Sequence, residues 1–138
     1  MQIVRLIYHS LASYNLSKSE IKQIQQCSSQ FNAINKVTGM LVYDNLRFLQ
    51  LLEGETVVIN DLYNRIVNDK RHNCVQLVHF GELNNRRFTE WSMGVAYMPV
   101  SKKTFVESKY GGFFPDKFNA YEATRYLQEV REFAVESM

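Results

Sequence analysis

Apolar runs with strand character alternate with helical periodicities along the first two thirds of the chain, and their order sets the expected fold. Ile3 to His9 is β-branched and largely apolar, with Val4, Leu6 and Tyr8 on one face by parity. Ser17-Lys18-Ser19-Glu20 has the capping-box pattern, and Ile21, Ile24, Ser28 and Phe31 follow at helical spacing, which predicts a helix from Ser17 to Phe31. A polar connection, Asn32 to Lys36, leads to a second strand, Val37 to Tyr43. Asp44-Asn45 supplies turn residues before a third strand, Arg47 to Leu52, so that this pair is expected to form a hairpin. A second helix opens at Glu55, carries Val58, Leu62, Tyr63, Ile66 and Val67 on its apolar face and ends near Asp69. Val75 to Gly81 and Trp91 to Met98 complete the set as fourth and fifth strands.

Strand–helix–strand–strand–helix–strand–strand is an α+β, ferredoxin-like order with one added strand, and it places both helices on one face of the sheet. The expectation drawn from it is that the first and third strands are central neighbours running parallel, with Tyr8 and Gln50 side by side beneath the helices. Pro99 breaks the pattern. Beyond it, Ser101 to Lys109 reads as a short helix, Gly111-Gly112 as a break, and Ala120 to Glu136 as a longer helix. The apolar face of that last helix comprises Tyr121, Thr124, Tyr126, Leu127, Val130, Phe133 and Ala134, and it is expected to pack on the outer face of the sheet or on a partner. The division is a domain over residues 1–98 and a C-terminal two-helix extension over 99–138, too small to fold alone.

Composition narrows the function classes. The 138 residues, 46% hydrophobic and 22% charged, suit one soluble domain. A formal charge of +2, without a basic stripe, argues against nucleic acid. Cys27 and Cys74 lie in unrelated segments, so neither a disulfide framework nor a zinc site is signalled, and reduced thiols in the cytoplasm are the expectation. No apolar run approaches membrane-spanning length, and the N-terminus lacks a signal-peptide layout. His9, His72 and His79 are scattered and, taken singly, read as surface or packing residues; no metal motif, phosphate loop or nucleophile elbow is present.

The informative residue is Gln50, a primary amide within Phe48-Leu49-Gln50-Leu51-Leu52. An unbonded amide in an apolar interior costs roughly 2–7 kcal/mol, so its surroundings must supply partners. Because the group both donates and accepts, and rotation exchanges the two ends, it serves equally as a satisfied core amide or as the sensing element of a ligand site. Tyr8 is an ordinary core aromatic or a phenol able to give up an electron and a proton. Asn32, directly after the first helix, is a helix-end residue or a donor–acceptor pair matched to an imide edge. Arg65 and Asp69, four apart, suggest an ion pair on the second helix. Trp91 and Met93 share one face of the fifth strand.

Together these blocks are specific. Val4-Arg5-Leu6-Ile7-Tyr8, Asn32, Val37-Thr38-Gly39-Met40-Leu41, Phe48-Leu49-Gln50-Leu51-Leu52-Glu53-Gly54-Glu55, Tyr63-Asn64-Arg65-Ile66, Asp69-Lys70-Arg71-His72 and Trp91-Ser92-Met93 follow one another in the order and spacing of BLUF domains, the flavin-binding blue-light sensors. The chain resembles the short, stand-alone type, similar to cyanobacterial PixD. The resemblance implies non-covalent FAD, with the isoalloxazine ring between the two helices. It implies that Tyr8 is the redox-active phenol, that Gln50 bridges it to the flavin N5/O4 edge, and that light-driven electron and proton transfer from Tyr8 through Gln50 rearranges the hydrogen bonds. Asn32 would hold the O4/N3 edge, Arg65 and Asp69 the O2 side, and Ile24, Ser28 and Ile66 would line the slot. Trp91 and Met93 would relay the signal to a response-regulator-like protein partner or a homo-oligomer, without enzymatic turnover. Phe31 stands where such relatives often carry Asn, a departure expected to alter cofactor tightness or dark recovery. A flavin-dependent oxidoreductase, and a ferredoxin-like protein or RNA interaction module, are the competing readings.

Overall fold

The computed structural model describes the backbone of residues 2–93 and 108–137 and the side chains of residues 2–90 and 108–132. Its elements are β1 (Ile3–Ala12), α1 (Lys18–Ile34), β2 (Thr38–Asp44), β3 (Arg47–Glu55), α2 (Thr56–Val67), β4 (His72–Leu83), β5 (Trp91–Met93), a 3-10 turn (Pro115–Lys117) and α3 (Ala120–Ser137). The expected ferredoxin-like α+β arrangement is present, with the five strands in the order β4-β1-β3-β2-β5. Expectations for residues 94–98 of the fifth strand and 101–107 of the short helix lie outside the described residues.

Local chemistry explains the boundaries. Ser17 Oγ accepts from the Glu20 N–H and Glu20 Oε1 from the Ser17 N–H, the reciprocal cap read from sequence. Asn119 and Glu122 make the same exchange at the start of α3. The β2–β3 turn is centred on Asn45 and Leu46, one residue later than expected, with both at positive φ (49° and 65°). That is the two-residue geometry whose twist matches paired strands.

One expectation of sheet direction is corrected. β1 and β3 are neighbours, but antiparallel. The crossover through α1 returns β2 parallel to β1 one strand away, and the tight hairpin then reverses the chain into the gap between them. β3 therefore opposes both neighbours. β5 lies parallel to β2.

β3 is buried nearly throughout because both of its faces are covered. On one side Leu49 and Leu51 join Ile7, Met40 and Val42 under α3, whose Tyr126, Leu127 and Val130 are fully buried. The C-terminal helix thus packs on the outer sheet face; Tyr121, placed on its apolar side from sequence, is instead 69% exposed. On the other side two separate clusters form. Leu16, Ile21, Ile24, Leu41, Tyr43 and Phe48 pack with α1, while Val4, Leu6, Tyr8, Val37, Leu52 and Ile59 pack with α2. In α2 the anchor is Ile59, which sequence periodicity missed, whereas Val67 is exposed. The seam between these two clusters is where Gln50 sits.

Candidate functional site

Register brings the central pair together. Tyr8 and Gln50 are directly opposed in the β1–β3 ladder, and the Tyr8 hydroxyl donates to Gln50 Oε1 at 2.6 Å. Both are buried, at 1% and 5% exposure. Burial raises the Tyr8 pKa well above its ordinary value, the Asp69 carboxylate and Tyr63 add to this, and Arg71 opposes it. The phenol is held as a neutral donor.

Above the pair, between α1 and α2, lies a cavity of about 330 Å³. It is lined by every residue expected at the cofactor site: Tyr8, Ile24, Ser28, Asn32, Gln50, Arg65, Ile66 and Asp69. Its two buried primary amides have spare capacity. Among the described residues, Gln50 Nε2 has no hydrogen-bond partner, and neither does the side chain of Asn32, which is only 3% exposed. Amides on buried residues that open onto a cavity can serve a ligand that supplies the complementary edge. Ile24 and Ile66, from facing helices, and Leu41 and Phe48, from the sheet, provide apolar walls. The combination fits a flat ring system with polar atoms along one edge, and the isoalloxazine of a flavin has that chemistry.

The polar mouth differs from expectation. Arg65 and Asp69 do not pair, because α2 ends at Val67 and Asp69 lies past the last helical turn. Asp69 instead accepts from the Arg71 backbone N–H and guanidinium, with Nη2 to Oδ2 at 2.5 Å, and these bonds hold its carboxyl below the usual range. The Arg65 guanidinium lies over the Phe31 ring at 5.1 Å and links α2 to α1. Phe31 thereby supplies a ring contact for the Arg65 guanidinium at the mouth of the cavity. The side chains of Trp91 and Met93 lie outside those described.

His72, read from sequence as a surface or packing residue, lines the cavity. Its ring packs against Phe48 at 4.3 Å, and Nδ1 is 2.7 Å from Ser10 Oγ. Phe48 was likewise read only as a strand residue. The available signal for Phe48 was its parity with Gln50 on β3, whereas His72 reaches the site only through the fold. Burial lowers the His72 pKa to about 4, against the opposing pull of Asp69. The unfolded chain, with His at its ordinary 6.5, therefore takes up the proton first, and folded stability falls as pH drops from about 6.5 to about 4. Urea titrations of the flavin-free chain across that window are expected to show the decline, with a shallower one in His72→Phe. Equal slopes would contradict the assignment.

A sheet with two helices on one face, and a buried phenol–amide pair at the floor of the slot between them, define a domain built to hold a ligand in that slot. The model of the BLUF family, sensors of blue-light using FAD, matches residues 3–94. The photoactivated adenylate cyclase subunit beta of Euglena gracilis is 34% identical over 92 residues, which are 66% of this chain and 11% of that protein. The chain thus spans only a small part of the length of such curated relatives. Among solved structures, BlsA in its photo-activated state superposes with a TM-score of 0.79 over 93% of this chain and 94% of that chain, at 26% identity. BlrB, a BLUF protein in its dark state, gives 0.76 over 98% and 97%, at 23% identity, a likeness of fold. The chain belongs to the BLUF family of photosensory, non-catalytic modules, and its Tyr8–Gln50 bond lies where such a sensor's flavin network is built.

Proposed function

We propose that this chain is a blue-light photoreceptor that holds FAD non-covalently in the α1–α2 cavity and uses Gln50 as its switch. The observation that carries the reading is the buried 2.6 Å bond from the Tyr8 hydroxyl to Gln50 Oε1, with Nε2 of the same amide left for a ligand. Gln50 Nε2 and the Asn32 amide would hold the polar edge of the ring, Ile24, Ser28 and Ile66 its faces, and Arg65 and Asp69 the side nearer solvent. When bound, the flavin supplies a blue-light-absorbing oxidant beside this pair.

The rest follows from the chain. Tyr8 does not ionise by itself, because burial and the nearby carboxylate oppose the phenolate. It yields its proton only together with an electron, along the bond to Gln50 Oε1. Once both have returned, Gln50 can settle with its amide ends exchanged or as the other tautomer. A turned amide presents Nε2 to the Tyr8 oxygen and Oε1 to the cavity, so the hydrogen bonds offered to the ligand are new although no covalent bond has changed. That difference is the stored signal, and in a closed site with few competing donors it is worth more than in water.

A PixD-like assignment is also proposed, supported by the superposition on BlsA over 93% of this chain and 94% of that chain. In this reading the altered network acts by population shift on a response-regulator-like partner or on a homo-oligomer, with Trp91 and Met93 as the relay. Purified protein mixed with FAD is expected to become yellow and to show a small, reversible red shift under blue light, with its elution volume or partner binding changing in step. A colourless protein, or an unshifted spectrum, overturns the photoreceptor reading.

A further inference from the structure

Glu53 is three residues beyond Gln50 on β3, on the opposite face of the sheet, and it is completely buried. Its Oε2 accepts from Arg5 Nε and Nη2 at 2.9 and 2.7 Å. Its Oε1 accepts two backbone N–H groups, those of Arg87 and Phe88, at 2.8 and 2.9 Å. Both of those residues belong to the connection between β4 and β5. Arg86 in the same connection donates to the Glu53 carbonyl oxygen and to Thr38 Oγ1, each at 2.9 Å. The Gly39 N–H donates to the Glu90 carbonyl at 3.0 Å, immediately before β5 pairs with β2.

The same connection is fastened to α3. Phe88 is fully buried in the cluster that holds Tyr126, Leu127 and Val130. The Arg131 guanidinium lies 5.4 Å over the Phe88 ring, and its Nη2 donates to Thr89 Oγ1 at 3.3 Å. A buried carboxylate is retained only where its partners are fixed, and removing one member of such a set leaves uncompensated charge. Here the partners are a guanidinium on β1 and the backbone of a connection that α3 grips from the other side. No residue of this set lines the α1–α2 cavity.

We infer that Glu53 is a positioning residue that ties the Gln50 strand to the β4–β5 connection, so that a change at Gln50 is transmitted through residues 86–90 to β5 and α3. The inference rests on the photoreceptor reading and extends it from the switch to the outgoing path. A strand is stiff along its length, so a shift of β3 at Gln50 moves the Glu53 carboxylate and, with it, the two N–H groups it holds. The connection must follow or lose both bonds, and Phe88 and Arg131 carry the movement to α3.

The test is amide hydrogen exchange on the FAD-loaded chain, dark and illuminated, with the absorption spectrum read on the same samples. In the native chain, exchange is expected to change on illumination in residues 86–93 and in α3. Glu53→Gln keeps an oxygen for the two N–H groups but turns a second donor toward Arg5. Arg87 and Phe88 should then exchange roughly tenfold faster in the dark, and the light-minus-dark difference in α3 should disappear while the red shift persists. If Glu53→Gln does not fold, Arg131→Ala decides: it should abolish the α3 difference and leave that of residues 86–90. An undiminished α3 difference in the folded variant overturns the inference, as does a native chain that red-shifts without any exchange change in α3. A native chain with no red shift fails at the earlier step, the photoreceptor reading itself.

Discussion

Gln50→Leu is expected to give a yellow protein that is blind: FAD bound, absorption in the dark near normal, and no red shift at any dose of blue light. Leucine fills a similar volume beside Phe48 and Leu52, which share its face of β3, and Asn32 and the apolar walls still hold the ring. The loss is confined to the hydrogen-bond exchange. The Tyr8 hydroxyl, fully buried and paired with Gln50, would lose its acceptor at a cost of about 1–3 kcal/mol, within the stability of an ordinary domain. Tyr8→Phe should be equally blind for a different reason, since the amide remains but nothing donates to it. The two variants differ in the ground state: Gln50→Leu removes the Nε2 donor from the cavity, whereas Tyr8→Phe leaves Gln50 free to turn. Steady-state difference spectra after illumination measure both, and a normal shift in Tyr8→Phe refutes the donor assignment.

The sequence made the Tyr8–Gln50 pair legible because strand parity is a strict rule: residues two apart share a face, and Tyr8 follows Val4 and Leu6 as Gln50 follows Phe48. Parity says nothing of direction, and the first expectation for β1 and β3, parallel, was wrong for that reason. Only the crossover-then-hairpin path decides it. Helical spacing similarly suggested an Arg65–Asp69 pair, but i,i+4 proximity holds only while the helix lasts, and α2 stops two residues before Asp69. His72 was missed at the site because its contact with Phe48 crosses from β3 to the start of β4, a long-range placement that no local pattern encodes, whereas Phe48 shares the parity of Gln50. Glu53 was visible only as part of a motif. That it is buried and clamped by Arg5, Arg87 and Phe88 depends on three segments meeting, which is knowledge of the fold rather than of the chain.

The hairpin that presents Gln50 depends in turn on Gly39, and Gly39→Ala is expected to be the most damaging conservative substitution in the domain. Gly39 has φ of +141°, a conformation that residues with a Cβ rarely adopt, and an added Cβ would lie 1.9 Å from the Leu51 carbonyl oxygen and 2.9 Å from its carbon. Those atoms are backbone of β3, so relief requires moving a strand rather than a side chain. Three consequences converge on the site. β2 must separate from β3 around the Gly39–Leu52 pair, adjacent to Gln50; the Gly39 N–H loses its hold on Glu90; and β5, which begins its parallel pairing at Gly39–Trp91, loses its seat. A cost above about 3 kcal/mol falls in the tail of single-substitution effects and removes a large part of a typical domain's margin. Gly111→Ala is the control. It also starts from positive φ, +76°, but meets nothing within 4 Å, so it bears only the backbone strain, about 1 kcal/mol. Thermal unfolding of the FAD-loaded chains should therefore show Gly39→Ala lowered by roughly 10 °C or more, if it is soluble at all, and Gly111→Ala lowered by only a few degrees. Near-equal shifts would mean that the cost at Gly39 is conformational alone and that β2 has room to yield against β3. In that case the rigidity that fixes Gln50 opposite Tyr8 must come from the β1–β3 ladder by itself.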